Sequence, residues 1–307
     1  MKITTLTLNP AFDLHCFIED FEPFHENLAD TAVLEAGGKG VNISRALSSL
    51  GVESKALVVL GDENGDAFRH ALARDGIDGI FIELAGRIRE NITLHTKSSS
   101  ETRISFRGFA ADASILCRVS DALDGYLDSD TVVTLTGSLP MGVGVEDAKN
   151  MLKKLKAKGA KIVIDSRSFK LDDIKAVRPW LIKPNEEEIS MYSRVKISDL
   201  ESAARAAVEL RESCAENVII SLGDKGAVLA CEDGAFAVNA PKIEALSTVG
   251  AGDSMIAGFI AAKKERRPSP DALKFAVCCG SAACLTEGTK PPKKDTVAAL
   301  MKQLEVK

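Results

Sequence analysis

The pattern of apolar and polar residues alternates between strand-like and helix-like periods along most of the chain. Residues 3–8 alternate Thr with aliphatic side chains and predict a β-strand, which Asn9-Pro10 ends because proline cannot donate to a strand ladder. Short apolar runs predict further strands at residues 55–60, 131–135, 161–164, 180–182 and 217–222. Apolar residues at helical spacing predict one helix that Gly51 ends and others at residues 66–74, 145–158, 198–214, 254–264, 271–285 and 296–304.

Two stretches depart from this succession of strands and helices. Residues 91–97 and 102–107 read as two alternating strands joined by the polar tip 98–101, which predicts a β-hairpin. The pattern of residues 16–35 is irregular and contains several acidic residues, so we expect short strands that lie outside the main sheet.

The order of elements predicts the fold class. Residues 227–231 and 235–238 predict two strands in immediate succession, which is typical of an antiparallel edge on an otherwise parallel sheet. Repeated strand–helix units with polar or glycine-rich turns predict an α/β fold, a doubly wound and mostly parallel sheet flanked by helices. Ligands bind at the carboxyl ends of such strands, so the polar groups at that edge should converge: Asp13, residues 37–42, Ser138, Asn185 with Glu188, residues 223–226 and Asp253.

Composition fits one large domain, alone or with a small appendage. The 307 residues are 45% hydrophobic and 27% charged, and 39 basic against 44 acidic residues give a net charge of −5. Nothing in this balance suggests a nucleic-acid surface, and an anionic substrate would require basic residues to be concentrated locally. No apolar run approaches the roughly 20 residues that a membrane span needs, so no membrane partner is expected.

Cysteine usage and the N-terminus indicate the compartment. The seven cysteines form no C-x-x-C pair and no zinc spacing, which favours free thiols in a reducing environment. The N-terminal residues lack a continuous apolar core and read as a strand rather than a signal peptide. We therefore expect the protein in the cytoplasm.

The stretch Ser247-Thr248-Val249-Gly250-Ala251-Gly252-Asp253-Ser254 opens an apolar helix and is the strongest candidate for catalysis. Small residues allow close backbone approach, and the free N–H groups and positive dipole end of the helix favour a phosphoryl group. We predict that Gly250, Ala251 and Gly252 cradle an anion and that Asp253 deprotonates an alcohol. The alternative is that the glycines shape a loop and Asp253 caps the helix.

A second glycine-rich stretch, Ala36-Gly37-Gly38-Lys39-Gly40-Val41-Asn42, also leads into a helix. Its glycines permit close approach, Lys39 supplies charge, and the Asn42 amide can reach a hydroxyl-rich ligand. The spacing is not that of a Walker A loop, and an ordinary turn before a helix remains the alternative. Asp13, just past the first strand, is either a ligand contact or a loop-capping residue.

The predicted hairpin is unusually basic, with Arg87, Arg89, Lys97, Arg103 and Arg107 in and around its strands. A solvated face accounts for most of these residues. For Arg89 and Arg103 we predict contact with a phosphate, because guanidinium groups match phosphate bidentately.

The stretch Lys183-Pro184-Asn185-Glu186-Glu187-Glu188 follows a short strand. Asn185 and Glu188 would share one helix face, and oxygen ligands near phosphates suit Mg²⁺. An N-cap asparagine followed by an acidic first turn explains the same residues equally well.

Together, these motifs resemble those of the PfkB/ribokinase family of sugar kinases over the whole chain. The two family signatures correspond to residues 37–42 and 247–254, with residues 183–188 between them. The segments Thr7-Leu8-Asn9-Pro10-Ala11-Phe12-Asp13, Arg89-Glu90-Asn91, Glu101-Thr102-Arg103 and Thr136-Gly137-Ser138-Leu139-Pro140 narrow the resemblance to the branch that acts on hexose phosphates.

The resemblance implies a ribokinase-like kinase domain over residues 1–307, with a small β-sheet lid from residues 12–34 and 88–108 that often also pairs subunits as a homodimer. It implies ATP and Mg²⁺ as cofactors, Asp253 as the base and residues 250–252 as the anion hole. The sugar would contact Asp13, Gly38, Lys39 and Asn42, and its phosphate Arg89, Arg103 and Ser138. The ATP site would include Lys183, Asn185, Ser221, Gly223, Gly226 and Gly280, with Asn185 and Glu188 organising Mg²⁺ indirectly.

The expected reaction is ATP-dependent phosphorylation of a ketohexose phosphate, with fructose 1-phosphate as the expected acceptor. The segment Glu26-Asn27-Leu28 lacks the lysine that contacts substrate phosphate in the minor 6-phosphofructokinases of the family, which favours this acceptor. The basic hairpin differs from the sequence most common at this place in the family's kinases for fructose 1-phosphate. Tagatose 6-phosphate and fructose 6-phosphate therefore remain alternative acceptors. A catalytically silent sugar-phosphate sensor is the alternative outside the enzymes.

Overall fold

The computed structural model describes residues 1–97, 101–192 and 197–304. Its strands are β1 Lys2–Thr7, β2 Ala11–Ile18, β3 Thr31–Gly37, β4 Lys55–Gly61, β5 Asp78–Leu84, β6 Arg89–Thr96, β7 Glu101–Ile104, β8 Thr131–Thr136, β9 Lys161–Asp165, β10 Leu181–Ile182, β11 Asn217–Ser221, β12 Ala227–Cys231 and β13 Gly234–Val238. Its helices are α1 Lys39–Ser49, α2 Gly65–Arg74, α3 Ser114–Leu123, α4 Val145–Ala157, α5 Leu171–Val177, α6 Glu186–Tyr192, α7 Leu200–Ser213, α8 Ala251–Lys264, α9 Ser269–Cys284 and α10 Lys294–Met301.

The large sheet has nine strands in the order β13-β12-β11-β10-β9-β8-β1-β4-β5. The strands from β11 to β5 pair in parallel, and only β12 and β13 pair antiparallel at one edge. The chain adds β4 and β5 on one side of β1 and then returns to add β8 on the other. Topological switch points of this kind open a crevice at the carboxyl ends of the strands, where ligands bind in doubly wound sheets. The predicted fold class and antiparallel edge are confirmed.

Helices cover both faces of the large sheet and enclose two separate cores. One core packs α2 to α7 against the sheet and includes the fully buried Phe68 and Phe169. The other packs α1, α8, α9 and α10 against the opposite face around Phe259. Alternate residues of β11 enter different cores, since Val218 and Ile220 face the first and Ile219 the second. Burial on both faces explains why these strands read as continuous apolar runs.

Four strands form a second, smaller sheet in the order β3-β2-β6-β7, which we call the lid sheet. Its register places Leu34, Leu14, Ile92 and Ile104 in one row across the four strands. The neighbouring rows, on the opposite face, carry polar residues such as Asp13 with Asn91 and Thr93 with Arg103. Paired residues project to the same side of a sheet, so one face is apolar and the other polar. The predicted hairpin is confirmed in β6 and β7, whereas residues 98–100 of its predicted tip lie outside the described residues.

The N-terminus of α7 differs from the prediction by one residue. The sequence predicts Ser198 as the cap and Leu200, Ala204, Ala207 and Val208 as the buried face. In the structure the cap is Asp199, whose carboxylate accepts a hydrogen bond from the Ser202 backbone N–H at 2.8 Å. The buried face also differs in part from the prediction, since Ala203, Ala206, Ala207 and Leu210 are buried, Leu200 and Ala204 are partly buried, and Val208 is exposed.

The sequence pattern did not predict three elements, which are β5 at the sheet edge, α3 and α5. The apolar spacing of Ile115, Leu116, Val119 and Leu123 on α3 is a helical signal that could have been found. Among the described residues, no helix is both long and apolar enough to cross a membrane.

Candidate active site

A single cavity of about 1310 Å³ lies at the carboxyl ends of the parallel strands, between the large sheet and the lid sheet. Every residue that the sequence analysis assigns to a site lines it: Asp13, Gly38, Lys39, Asn42, Arg89, Arg103, Ser138, Lys183, Asn185, Glu188, Ser221, Gly223, Gly226, Gly250, Ala251, Gly252, Asp253 and Gly280. Ligand pockets usually measure about 300–1,000 Å³, so this cavity has room for two substrates side by side. The predicted convergence of the strand-end loops is therefore observed.

Asp253 lies inside the first turn of α8, and Gly250 is the N-cap residue, with φ of 78°. The carboxylate of Asp253 is not a cap. It accepts a hydrogen bond from Asn42 Nδ2 of α1 at 2.9 Å, and only 5% of the residue is exposed. Burial raises the pKa of Asp253 to about 6, against the opposing effect of the Lys39 ammonium. Above pH 6 this geometry presents a mostly ionised carboxylate that is poised to accept a proton.

The start of α8 supplies backbone donors beside Asp253. The first N–H groups of a helix have no acceptor within the helix and carry the positive end of its dipole. Lys183 lies directly beside them, because a Cβ atom added at Gly252 would stand 3.1 Å from Lys183 Nζ. The first turn and a buried ammonium thus form a positively polarised surface that suits a phosphoryl group.

Lys39 forms an ion pair that the sequence analysis does not predict. Its Nζ lies 3.0 Å from Oδ2 of Asp165, a buried residue at the end of β9. Burial works to raise the pKa of Asp165, but Lys183 and Lys39 outweigh it and hold that pKa below its usual value. Burial likewise acts to lower the pKa of Lys39, whereas Asp165 and Asp253 raise it. Both groups stay charged, and Lys39 is paired with Asp165 while its charge also acts on Asp253.

Asp13 lies within β2 rather than in a loop, so its loop-capping alternative is wrong. It is buried, and its Oδ1 accepts hydrogen bonds from Asn91 Nδ2 at 2.9 Å and from Arg103 Nη2 at 3.2 Å. Asn91 is a cavity residue that the sequence analysis does not assign. The polar face of the lid sheet therefore brings a carboxylate, an amide and a guanidinium to one wall of the cavity.

Arg89 has a different environment from Arg103. Its guanidinium donates to three backbone carbonyls, those of Asn9, Pro10 and Phe106. Asn9 in turn donates to the hydroxyl of Ser138 at 3.0 Å. Arg89 therefore joins the turn after β1 to the segment after β7. Among the described residues Arg103, whose side chain is 42% exposed, forms an ion pair with Asp13 alone. Of the two arginines, Arg103 has more donors available for a ligand.

Asn185 and Glu188 show the capping geometry that the sequence left open. Asn185 Oδ1 accepts from the Glu188 N–H at 2.8 Å, and Glu188 Oε2 accepts from the Asn185 N–H at 3.2 Å. Glu188 Oε1 also accepts from Arg167 Nε at 3.3 Å. These contacts fix the Glu188 carboxylate on the cavity wall at the start of α6.

The predicted nucleotide residues lie around the ends of β11 and β12. Gly226 has φ of 111°, and a Cβ atom there would lie 2.0 Å from the Val238 carbonyl, so only glycine fits. Gly280 on α9 packs against the start of α8, since its Cβ position is 3.1 Å from the carbonyl of Ala251, the first residue of that helix. The predicted nucleotide side of the cavity is therefore built directly against the segment that carries Asp253.

Comparison with known proteins agrees with this arrangement. Residues 7–296 match the pfkB family of carbohydrate kinases. A 1-phosphofructokinase from Escherichia coli strain K12 is 33% identical over 307 residues, covering 99% of this chain and 98% of that protein. A 1-phosphofructokinase from Bacillus subtilis strain 168 is 31% identical and covers 93% of each chain. The structure of phosphofructokinase-2 from Escherichia coli, in complex with substrates and products, superposes with a TM-score of 0.92 at 26% identity, covering 99% of both chains.

The chain belongs to the pfkB family of carbohydrate kinases. It is therefore a phosphotransferase that acts on a sugar hydroxyl, and the family implies the use of ATP. The sequence-based assignment to this family and to its ribokinase-like fold is confirmed.

Proposed function

We propose that this protein transfers the γ-phosphoryl group of ATP to fructose 1-phosphate and produces fructose 1,6-bisphosphate. The observation that carries the proposal is one cavity that combines the buried Asp253 beside a helix N-terminus with Arg103 on the opposing lid sheet. The first arrangement suits phosphoryl transfer, and the second suits an acceptor that already bears a phosphate. The relatives named 1-phosphofructokinase support the same acceptor.

The proposed mechanism relies on positioning and charge stabilisation. Asp253 accepts the proton of the attacking sugar hydroxyl, whose oxygen forms a bond to the γ-phosphorus as the bond to the leaving ADP oxygen breaks. The backbone N–H groups at residues 250–252 stabilise the negative charge on the transferred group. The charge of Lys39, which is paired with Asp165, lowers the pKa of Asp253 against the effect of burial and so favours the ionised base near neutral pH.

A magnesium ion fits this cavity as a companion of the nucleotide. Among the described residues, no group of three or more His, Cys, Asp or Glu side chains could hold a metal ion. Mg²⁺ usually keeps several waters and binds through one or two carboxylates together with substrate phosphates. The fixed Glu188 carboxylate, with Asn185 beside it, would hold the ion indirectly, and the ion would neutralise charge on the phosphates. Asn185 serves mainly as the cap of α6.

The proposed acceptor is tested by an ATP-consumption assay with a panel of phosphorylated and free sugars. We expect the highest kcat/KM for fructose 1-phosphate, lower values for fructose 6-phosphate and tagatose 6-phosphate, and the lowest for free fructose. A preference for either 6-phosphate would replace the proposed acceptor but keep the kinase assignment. Binding of these sugars without any ATP consumption would favour the sensor alternative.

The phosphate contact is tested with Arg103→Ala. Removing this guanidinium should raise KM for the sugar phosphate at least about tenfold and change KM for ATP less than twofold, since charge-assisted contacts to phosphate are worth about 1.5–3 kcal/mol. Arg89→Ala should also raise the sugar-phosphate KM, and it should lower stability because Arg89 holds three carbonyls. Arg87→Ala is the matched control, since Arg87 is exposed and pairs with Glu90 outside the cavity. Equal changes in both KM values for Arg103→Ala would rule out the phosphate contact.

We further propose that the apolar face of the lid sheet pairs two copies of the chain. Leu34 and Ile104 stand at the two ends of its apolar row and are 51% and 47% exposed. Apolar residues aligned on an open sheet face are typical of an interface. Leu34→Glu should convert the dimer to a monomer in sedimentation velocity, whereas Val208→Glu, at an exposed apolar position of α7, should leave it dimeric. A monomeric unmodified protein would contradict the proposal.

The proposed organisation is a single kinase domain over residues 1–307 with the lid sheet as its smaller part. The cytoplasm is the proposed location, supported by seven cysteines that are all free, as a reducing compartment would leave them.

A further inference from the structure

Four titratable side chains, one from each strand, run diagonally across the polar face of the lid sheet. Glu35 lies on β3, His15 on β2, His95 on β6 and Glu101 on β7. His15 Nδ1 and His95 Nε2 are 2.9 Å apart, and His95 Nδ1 is 3.4 Å from Glu101 Oε1. The proposed phosphoryl transfer uses none of these four residues.

The two histidines of this group face each other, and each also faces a carboxylate. The direction of the hydrogen bond between His15 Nδ1 and His95 Nε2 depends on the tautomers of the two rings. Burial lowers the pKa of His15. Among the described residues its Nε2 has no hydrogen-bond partner, and this buried atom lies 3.9 Å from Glu35 Oε2, beyond hydrogen-bond distance. His15 therefore gives Glu35 no hydrogen bond.

Glu35 takes its hydrogen bonds from outside the lid sheet. Thr289 Oγ1 donates to Glu35 Oε2 at 2.6 Å, and the Thr289 N–H lies 3.4 Å from the same oxygen. Gly288 packs against the same place, because its Cβ position would be 3.3 Å from His15 Nε2 and 3.4 Å from Glu35 Oε2. Short bonds to a carboxylate are among the stronger hydrogen bonds in proteins. The lid sheet and residues 286–290 are thus in direct contact through one charged group.

Residues 286–290 are tied in turn to the segment that carries Asp253. The hydroxyl of Thr286 lies 2.7 Å from the Ala283 carbonyl at the end of α9 and 2.8 Å from the Lys290 carbonyl. The neighbouring Cys284 carbonyl accepts from the backbone N–H groups of Leu246 and Ser247, at 2.8 and 3.3 Å. A continuous path therefore runs from Glu35 on the lid sheet to the start of residues 247–254.

We propose that Glu35 and Thr289 are positioning residues that join the sugar-phosphate side of the cavity to its nucleotide side, so that binding of one substrate strengthens binding of the other. Asp13 lies on β2 in register with Glu35, and the lid sheet carries Arg103, so a shift of this sheet moves the acceptor contacts. This inference rests on the proposed function, because it requires a sugar phosphate to bind at the lid sheet.

The test measures the coupling between the two substrates by calorimetry on the full chain. The Kd of fructose 1-phosphate is determined alone and in the presence of saturating AMP-PNP, and the ratio of the two values is the coupling factor. We expect a factor of at least about five for the unmodified protein, at the lower end of typical couplings. Thr289→Val should reduce the factor to below about two, and Thr289→Ser should restore it, because serine keeps the hydroxyl.

Two further variants separate positioning from a general loss of structure. Glu35→Gln keeps an acceptor for Thr289 and should keep most of the coupling, whereas Glu35→Ala should lose it. The double variant Glu35→Ala with Thr289→Val should show no further loss, as expected for partners in one contact. Thr296→Val on α10 is the control, since Thr296 lies outside the lid sheet and the cavity.

The outcomes distinguish this inference from the proposed function. An unmodified protein that consumes ATP with fructose 1-phosphate but shows no coupling, or a folded Thr289→Val with unchanged coupling, would overturn the Glu35–Thr289 link alone. An unmodified protein that neither binds nor phosphorylates fructose 1-phosphate would overturn the proposed acceptor, and the link with it. A loss of coupling in Thr289→Val at unchanged Tm, with recovery in Thr289→Ser, would support the link.

Discussion

Replacing Asp253 with asparagine should lower kcat by at least about 10²-fold, because a positioned general base typically contributes 10²–10⁴-fold. The substitution keeps the shape of the side chain, and its amide oxygen can still accept the hydrogen bond from Asn42. The Kd of ATP should change less than about threefold, since the predicted nucleotide contacts at Gly223, Gly226 and Gly280 are untouched. Steady-state kinetics and direct nucleotide binding measure the two effects separately. A variant that retains most of its turnover would exclude Asp253 as the base.

The same substitution should stabilise the folded protein. The pKa of Asp253 rises on folding from 3.8 to about 6, so the folded state binds the proton more tightly than the unfolded state. Ionising the buried carboxylate therefore costs stability as pH rises between about 4 and 6, and the full penalty is present at pH 7. At 1.36 kcal/mol per pKa unit this penalty is about 3 kcal/mol. Asp253→Asn should therefore raise the free energy of unfolding by about this amount at pH 7 and leave it nearly unchanged at pH 4. Urea unfolding at both pH values measures the difference.

Asp165→Asn is the matched control for this stability effect. Asp165 is equally buried, but Lys183 and Lys39 hold its pKa below the usual value. The sign is therefore opposite, because its ionised form stabilises the fold above pH 4 and this stabilisation is lost at lower pH. Asp165→Asn should destabilise the protein at pH 7. Equal signs for the two variants would contradict the assigned electrostatics of the cavity.

The sequence was most informative where local chemistry determines the structure. The stretches 37–42 and 247–254 carry their glycines, charges and helix starts within a few residues, so their place at the sheet edge could be predicted. The alternating residues of the lid sheet likewise predicted a hairpin. The cap of α7 was predicted one residue too early, because Ser198 and Asp199 are both good caps and the local sequence does not decide between them.

Contacts between distant segments could not be predicted in the same way. Asp165 ends an ordinary apolar strand, and its importance depends on Lys39, which lies 126 residues away in the chain. In the sequence Asn91 is only one of several polar positions in an alternating strand. The strand register of the structure places it beside Asp13. Arg89 and Arg103 look equivalent in the sequence of a basic hairpin. In the structure Arg89 donates to backbone carbonyls, whereas Arg103 keeps donors available for a ligand. These distinctions follow from long-range packing.

Lys39→Met should lower kcat/KM and should also shift its decline at acidic pH to higher pH. The kcat/KM for the sugar phosphate should decline below pH 6 in the unmodified enzyme as Asp253 is protonated. Burial raises the pKa of Asp253, and Lys39 is the strongest opposing influence, so removing its charge should move this acidic limb to higher pH. At pH 7 the variant should lose at least about tenfold in kcat/KM, because a smaller fraction of the proposed base is ionised and the predicted sugar contact of Lys39 is lost.

The shift of the pH profile between variants identifies the titrating group better than the pH at which kcat/KM declines. The second ionisation of a phosphate ester also has a pKa of about 6, so the substrate alone could produce a decline there. A substitution in the protein cannot move the pKa of the free substrate, whereas it does move that of Asp253. Lys242→Met is the matched control, since Lys242 lines the same cavity but is not among the charges that shift the pKa of Asp253. We expect the limb to stay near pH 6 in Lys242→Met, and a limb that also stays there in Lys39→Met would assign it to the substrate.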